Sequence, residues 1–224
     1  MTQQQSAESD FASFWQFSLT FYQQSGVKSV CLRLQDEQAM NVNILLFLLW
    51  FSYTQKKLLA QEKLLELFET VKGYQEQVDK FREFRRDFID QLRVTDTVNE
   101  KNATYAIRDA LLNAELLLEK EMQQAIIQWF HQPLMHEPST NHPAGQQSCK
   151  PVNDISDIEL EFIATENLER YGNHVLVKMT NAKKTNSIDT SDKKQADTHL
   201  LSRDVSQLLQ QMSQALLQFS HQLH

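Results

Sequence analysis

The amino-acid sequence predicts an all-α protein: a helical bundle of about six helices, followed by a C-terminal helical extension on a flexible tether. Three observations predict this fold class. Apolar residues recur at spacings of three and four along most of the chain. The chain has only four glycines, and its four prolines all lie in segment 133–151. Its 224 residues, 41% of them hydrophobic, are enough to bury one helical core.

The first helix carries a dense run of aromatic side chains. We expect it to begin after an N-cap at Asp10 and to end near Ser25, with Gly26 as the left-handed residue beyond its end. Its apolar residues cover more than one face. The helix is therefore expected either to be contacted from several sides or to keep an exposed aromatic patch for a partner, with Trp15 and Tyr22 in that patch.

A second helix, from Val27 to about Gln38, has apolar residues on one face and charged residues on the other. Cys31 lies on the apolar stripe. We expect a small, inert hydrophobic side chain there, because no neighbour in the sequence provides the cationic setting that lowers a thiol pKa.

A third helix is predicted from its polar cap and the apolar run that follows. Asn41 or Asn43 can cap it, because an asparagine oxygen accepts hydrogen bonds from first-turn amides. Residues 44–51 contain no polar side chain and are too few for a membrane span, which needs about 20 residues. They are expected at the centre of the core. A short break is predicted over the polar stretch Tyr53–Lys57, followed by a fourth helix over 58–72 and a joint at Gly73.

A fifth helix, over about 74–93, carries a basic cluster of Arg82, Arg85 and Arg86, with Lys80 and Arg93 nearby. Acidic residues three and four positions away predict that most of this face is solvated and paired with itself. The alternative is an interaction surface for an anionic ligand or an acidic partner, because guanidinium groups bind carboxylate and phosphate in a bidentate way.

The remaining helices lie on either side of a proline-rich segment. A sixth helix should run from a cap at Asn102 or Thr104 to His131. Its apolar stripe, at spacings of three and four, consists of Ile107, Leu111, Ala114, Leu118, Met122, Ala125 and Trp129. Asp154 or Ser156 can cap a short helix that closes at Gly172. The histidines and the cysteine near the prolines match no zinc-site spacing, so no metal or other cofactor is predicted.

The expected division of the chain is a bundle over 1–132, a partly disordered linker over 133–196 with a short helix at 155–171, and a C-terminal helix over 197–224.

The C-terminal helix has an apolar stripe at alternating spacings of four and three, close to the heptad pattern of a coiled coil. The stripe consists of Leu201, Val205, Leu208, Met212 and Phe219. Such a helix must either fold back onto its own core or bind another helix, from a different protein or from a second copy.

Two blocks near the N-terminus form an extended motif, FWxFSLxxYxxxGVxxxCLxLQD and then VNxLLFxLW. Later the chain has an EQV sequence and an RxxRR cluster. With these motifs, residues 11–130 resemble a small bacterial family of uncharacterised all-helical proteins. The residues that carry the resemblance are Phe14, Trp15, Phe17, Ser18, Leu19, Tyr22, Gly26, Val27, Cys31, Leu32, Leu34, Gln35, Asp36, Val42, Asn43, Leu45, Leu46, Phe47 and Trp50, with Tyr74, Glu76, Gln77, Val78, Arg82, Arg85 and Arg86. The resemblance implies a helical fold and an intracellular bacterial setting, and no reaction.

Two departures from the family pattern affect the fold. Ala39 stands where the pattern has glycine, and an alanine at positive φ costs about 1 kcal/mol relative to glycine. This disfavours a tight left-handed turn at that position. A proline that the pattern places before the arginine cluster is missing, which predicts a more continuous fifth helix.

Composition limits the functional classes. The net charge of −7, with an excess of acidic residues in both halves, argues against nucleic-acid binding. Two cysteines imply no disulfide framework and favour a reducing, cytoplasmic setting. No phosphate-binding loop, nucleophile elbow or zinc motif occurs in the sequence, so the first hypothesis is a non-enzymatic interaction module that binds a protein partner or itself.

Two alternatives remain from the sequence. One is a small-molecule-binding protein or enzyme with a pocket between the first three helices, in which Gln35, Asn43 and Trp50 provide polar anchors and an apolar wall. The other is a binder of an anionic partner through the Arg82–Arg86 face.

Overall fold

A computed structural model describes residues 3–95, 101–132, 155–185 and 194–222. Within these residues the chain forms seven α-helices, and none of them lies in a β-strand, so the all-α fold class is confirmed. None of these helices combines the length and apolar character needed to cross a membrane. The helices are α1 (Gln3–Tyr22), α2 (Val27–Gln38), α3 (Val42–Gln55), α4 (Gln61–Thr95), α5 (Lys101–Phe130), α6 (Asp157–Thr185) and α7 (Lys194–Gln222).

The ends of α1 differ from the prediction. The helix begins at Gln3, well before the expected cap at Asp10, because the glutamine, alanine and glutamate residues ahead of Asp10 are good helix formers. It ends at Tyr22. Gly26 does adopt a left-handed conformation, with φ of 83°, but as the residue immediately before α2 rather than as the terminator of α1.

The connection between α2 and α3 forms a left-handed turn in spite of its alanine. Ala39 has φ of 52°, and the next amide, that of Met40, donates to the carbonyl of Leu34 at 3.0 Å. Of the two predicted caps for α3, Asn41 is the one observed: its side-chain oxygen accepts from the amide of Ile44 at 3.1 Å. The residues of α3 from Asn43 to Ser52 are all buried, as expected for the centre of the core.

Two glycines that were predicted to end helices lie inside them. α4 passes through Gly73 without interruption, so the predicted joint there is wrong. The break predicted over 53–57 is observed, with the left-handed Lys56 at the end of α3. The helix predicted at 155–171 is present, but α6 continues through Gly172 to Thr185, so its predicted end at Gly172 is wrong. A Cβ at position 172 would lie 2.9 Å from Leu209 Cδ1, so this glycine permits close packing of α6 on α7.

The start of α6 was predicted more accurately. Ser156 and Glu159 form a reciprocal capping box: the hydroxyl of Ser156 accepts from the amide of Glu159 at 3.3 Å, and the carboxylate of Glu159 accepts from the amide of Ser156 at 2.9 Å. Of the two predicted caps, Ser156 is therefore the one used.

The chain divides into two compact units, each assembled from two separate stretches of sequence. Unit 1 comprises residues 1–15 and 62–130, and unit 2 comprises residues 16–61 and 131–224. The division along the chain predicted above, with boundaries at 132 and 197, stays a prediction about which segments fold on their own.

Unit 2 packs α6 on α3, and α7 on both α6 and α2. The stripe of α7 is buried at Val205, Leu208, Met212 and Phe219, while the side chain of Leu201 lies outside the described residues. The ring of Phe219 makes an edge contact with Phe17 of α1 at a centroid distance of 5.4 Å. Of the two uses predicted for this helix, docking onto its own chain is the one the structure shows.

Candidate interaction surface

Unit 1 contains a pair of long helices whose outer parts, residues 76–95 of α4 and 101–121 of α5, we call the hairpin arm. Arg82 Nε donates to Glu115 Oε1 at 2.7 Å, and Arg82 also donates to Glu119. Arg85 Nε donates to Glu115 Oε2 at 2.6 Å. Later residues of α4 thus pair with earlier residues of α5, so the helices run antiparallel and the ion pairs fix their register.

Partial burial makes these ion pairs unlike exposed ones. The side chains of Arg82 and Glu115 are each only 12% exposed. Burial raises the pKa of Glu119, the nearby charge of Arg82 opposes this rise, and the charge of Glu115 adds to it. The cluster therefore holds its charges in a setting where each depends on its partner for stabilisation.

Two of the three arginines predicted as an anion-binding surface are partners in this cluster. Arg82 and Arg85 are paired with carboxylates of α5. Arg86 is exposed, and its Nε donates to the carbonyl of Arg82 at 3.3 Å. An anionic partner would therefore meet one exposed guanidinium and two that carboxylates already neutralise. The anion-binding surface stays a prediction that depends mainly on Arg86.

The outer part of α5 is unusual because solvent reaches every one of its described side chains. From Thr104 to Glu121, all of which the structure describes, no residue is buried, whereas most residues from Met122 to Trp129 are. The outer part is nevertheless rich in apolar side chains. Large hydrophobic residues that stand exposed there are Tyr105, Ile107, Leu112, Leu116 and Leu117.

Three of these residues form a stripe. Tyr105, Leu112 and Leu116 are separated by seven and four positions, which places them on one side of a helix. Leu112 is 39% exposed and Leu116 is 41% exposed. The stripe is therefore an apolar surface to which solvent has access.

The α4 side of the arm adds an aromatic row. The rings of Phe81 and Phe84 have centroids 6.1 Å apart, and those of Phe84 and Phe88 are stacked with centroids 5.7 Å apart. The central ring, Phe84, is 52% exposed. Exposed aromatic side chains that are held by ring neighbours are typical anchors of protein interfaces.

The predicted aromatic patch of α1 is mostly covered. Phe14, Phe17 and Phe21 are buried, and Trp15 and Tyr22 are partly buried. The ammonium group of Lys120 lies 5.3 Å from the centroid of the Trp15 indole, within cation–π range. A role for Trp15 and Tyr22 in binding stays a prediction, and the larger exposed apolar surface is on α5.

The predicted pocket residues do not share one environment. Trp50 and Asn43 are buried, so a ligand would have to displace packed neighbours to reach them. Gln35 is partly exposed and its amide donates to Asp36 at 3.3 Å. An open groove of about 240 Å³ lies between the start of α2 and α7, and none of these three residues lines it. The pocket hypothesis stays a prediction.

The exposed stripe of α5 was missed in the sequence because a different stripe was assigned to the core there. The predicted core stripe ran through Ile107, Leu111, Ala114 and Leu118, which left Leu112, Leu116 and Leu117 without a role. One signal could have identified them. Positions 111–118 contain five leucines, and a single stripe uses only two of them, which indicates a helix that must be covered on more than one side.

Comparison with protein families gives one match. A family described as "Protein of unknown function (DUF2390)" matches residues 13–126, about half of the chain. The chain belongs to this family. Neither the curated proteins nor the solved structures contain a match to the chain. The DUF2390 match includes the whole hairpin arm and ends before α6 and α7. The predicted resemblance to an uncharacterised family is confirmed at this level.

Proposed function

We propose that this DUF2390 protein is a non-enzymatic interaction module whose binding surface is the hairpin arm. One observation carries the proposal: the outer part of α5 presents a stripe of Tyr105, Leu112 and Leu116 to solvent and buries no residue over five turns. A contiguous exposed apolar surface on a folded protein is characteristic of an interaction site, because leaving it in water forfeits the free energy of its burial.

The shape of this surface favours a protein partner over a small ligand. Small-molecule sites are concave and enclose most of their ligand. The stripe of α5 instead runs along the outside of a helix, where it offers a long contact to another helix or to a groove. Asp109 lies between Tyr105 and Leu112 on the same side of the helix, and Lys120 follows Leu116 by one turn, so charged residues border the Leu112–Leu116 pair at both ends, as they border protein interfaces.

We extend the proposal to the setting of the protein, which we infer to be the bacterial cytoplasm. The resemblance to a bacterial family supports the origin. Cys31 supports the compartment: it is a free thiol, and burial raises its pKa to about 12, so it has the character of a structural thiol rather than of a disulfide partner.

The proposal is tested by capture from native lysate with full-length protein as bait. The test variant is Leu112→Glu/Leu116→Glu. The control is Leu32→Glu/Leu58→Glu, whose two leucines are each 38% exposed and lie in unit 2. We expect wild type and control to retain a bound protein that the test variant loses, with equal helical circular dichroism for all three. Equal capture by the test variant would refute the arm as the binding surface.

A further inference from the structure

We propose that the hairpin arm binds the hairpin arm of a second copy of this chain, and that the two arms pack as a four-helix bundle. This inference rests on the proposed function, because it names the partner of the same surface. It is carried by the burial pattern of the arm, by its charge and by the ion pairs inside it.

The burial pattern shows that α4 and α5 alone do not form a complete hydrophobic core in the arm. In the arm, α4 buries Val78 and Ile89, whereas α5 buries none of its described side chains from Thr104 to Glu121. A hairpin covers only one side of each helix, and helical domains complete their cores with further helices. The first part of α1 also belongs to unit 1, and its Trp15 contacts α5 at Lys120, one turn beyond Leu116. A second hairpin provides two helices at once. A two-fold axis would present the same surface on both copies, as self-complementary dimer interfaces require.

The charge of the arm favours a second copy over a charged partner. Residues 76–95 carry five acidic and five basic side chains, and residues 101–121 carry four acidic and three basic ones. The arm therefore contributes only −1 to the net charge of −7. A strongly basic or acidic partner would need an arm of the opposite charge. A nearly neutral arm can meet an identical arm without net repulsion.

The ion pairs within the arm lower the free-energy cost of covering its charged side chains in an interface. An interface that covers an unpaired charge loses affinity, because the charge leaves water without compensation. Arg82, Glu115 and Arg85 are already paired within one copy. They also fix the register of α4 against α5, so that the stripe and the Phe84 ring are held in place before association. Such preorganisation lowers the entropic cost of binding.

The arm is also long enough to form a dimer interface of ordinary size. A helix of about 20 residues spans about 30 Å, and a stable dimer interface buries roughly 800 Å² on each partner. Two helices per copy along that length can provide such an area. The exposed apolar side chains that share one side of the arm are Tyr105, Leu112 and Leu116, and Leu117 lies next to them on α5.

The experiment measures the mass of the purified full-length chain by sedimentation equilibrium over a range of concentrations. We expect wild type, whose chain mass is 26.2 kDa, to sediment as a dimer. Leu112→Glu/Leu116→Glu should weaken the dimer by at least about 100-fold in Kd, because four carboxylates would enter an apolar interface. Leu32→Glu/Leu58→Glu should remain dimeric, and helical circular dichroism shows that each variant is folded.

Hydrogen exchange locates the contact independently of any variant. On dilution through the dissociation constant, amides of α5 from Tyr105 to Leu117 should lose protection, while those of α3, which lie in the core of unit 2, should not. A dimer that persists in the arm variant, or whose dissociation leaves α5 unchanged, would overturn the inference.

The result also separates the two proposals. A purified chain that is monomeric, but whose lysate capture still depends on Leu112 and Leu116, would refute the second-copy partner and leave the interaction module standing. A monomer whose capture does not depend on these leucines would refute both. A dimer that the arm variant dissociates supports both.

Discussion

Asn167 of α6 accepts a hydrogen bond from the backbone amide of Leu59 at 2.9 Å, across 108 positions of sequence. The same side-chain amide donates to Ser52 Oγ at 2.9 Å and to the carbonyl of Lys57 at 3.1 Å. One buried asparagine thus pairs with two backbone groups in the connection between α3 and α4 and with a hydroxyl in the last part of α3. The helix that provides it lies beyond the segment matched by the family. In this chain, α6 therefore stabilises a connection that belongs to the family region.

Replacing Asn167 should show how much its hydrogen bonds contribute to the free energy of unfolding. Asn167→Ala leaves the amide of Leu59 and the hydroxyl of Ser52 without these partners in a buried site, which should lower the free energy of unfolding by about 2–4 kcal/mol. Asn173→Ala is the matched control, because Asn173 is an exposed residue of the same helix and should change stability by less than about 0.5 kcal/mol. Urea denaturation followed by circular dichroism measures both. Equal stabilities of the two variants would show that the hydrogen bonds of Asn167 contribute little.

The two helical glycines should respond in opposite directions to alanine. At Gly73 an added Cβ meets no atom within 4 Å, so Gly73→Ala should stabilise the protein by up to about 1 kcal/mol through helix propensity. At Gly172 the added Cβ would lie 2.9 Å from Leu209 Cδ1 and 3.5 Å from Val205 Cγ1. Overpacking there should outweigh the propensity gain, with a net loss of about 1–3 kcal/mol.

Thermal unfolding of the two alanine variants provides the measurement. Gly73→Ala should unfold at a higher temperature than wild type and Gly172→Ala at a lower one. Stabilisation by Gly172→Ala would mean that α6 and α7 are not in close contact at this position.

The left-handed alanine offers a stabilising substitution. Ala39 holds φ of 52° and ψ of 30°, a conformation that glycine adopts without steric cost. Ala39→Gly should therefore raise the free energy of unfolding by up to about 1 kcal/mol. The control Ala12→Gly, at an exposed position within α1, should lower it by about 1 kcal/mol. If both glycine variants are destabilised alike in urea, position 39 is not left-handed in solution.

These glycines and alanines also show where the sequence was informative. Asn41 and Ser156 were predicted as caps because capping depends on a few adjacent residues. Gly73 and Gly172 were misassigned as helix ends because a glycine looks the same in sequence whether it terminates a helix, lies on its surface or permits close packing. Only the neighbours distinguish these cases, and for Gly172 the neighbour is Leu209, far away in sequence.

The candidate site was harder to predict for the same reason. Periodicity identifies the faces of a helix but not which of them the rest of the chain will cover. The arginine cluster was recognised, but its carboxylate partners Glu115 and Glu119 lie on another helix and were not. The exposed face of α5 becomes evident only once the burial of every other face is known.

Glu119 provides a pH-dependent prediction for the hairpin arm. Its pKa lies above the ordinary value of 4.5 in the folded chain, chiefly because burial disfavours its charged form. The folded state thus holds this proton more tightly than the unfolded state does. The resulting contribution to stability is present in full below pH 4.5 and is lost as the pH rises through the folded pKa.

Glu119→Gln should remove this contribution. Relative to wild type, the variant should lose less stability as the pH rises above 4.5, because a neutral side chain has no proton to release. Glu121→Gln, at an exposed position two residues further along α5, serves as the control and should follow the wild-type profile. Free energies of unfolding from urea titrations between pH 4 and 8 measure the difference. Profiles of wild type and Glu119→Gln that run parallel over this range would show that Glu119 is not held in a partly buried setting beside Arg82.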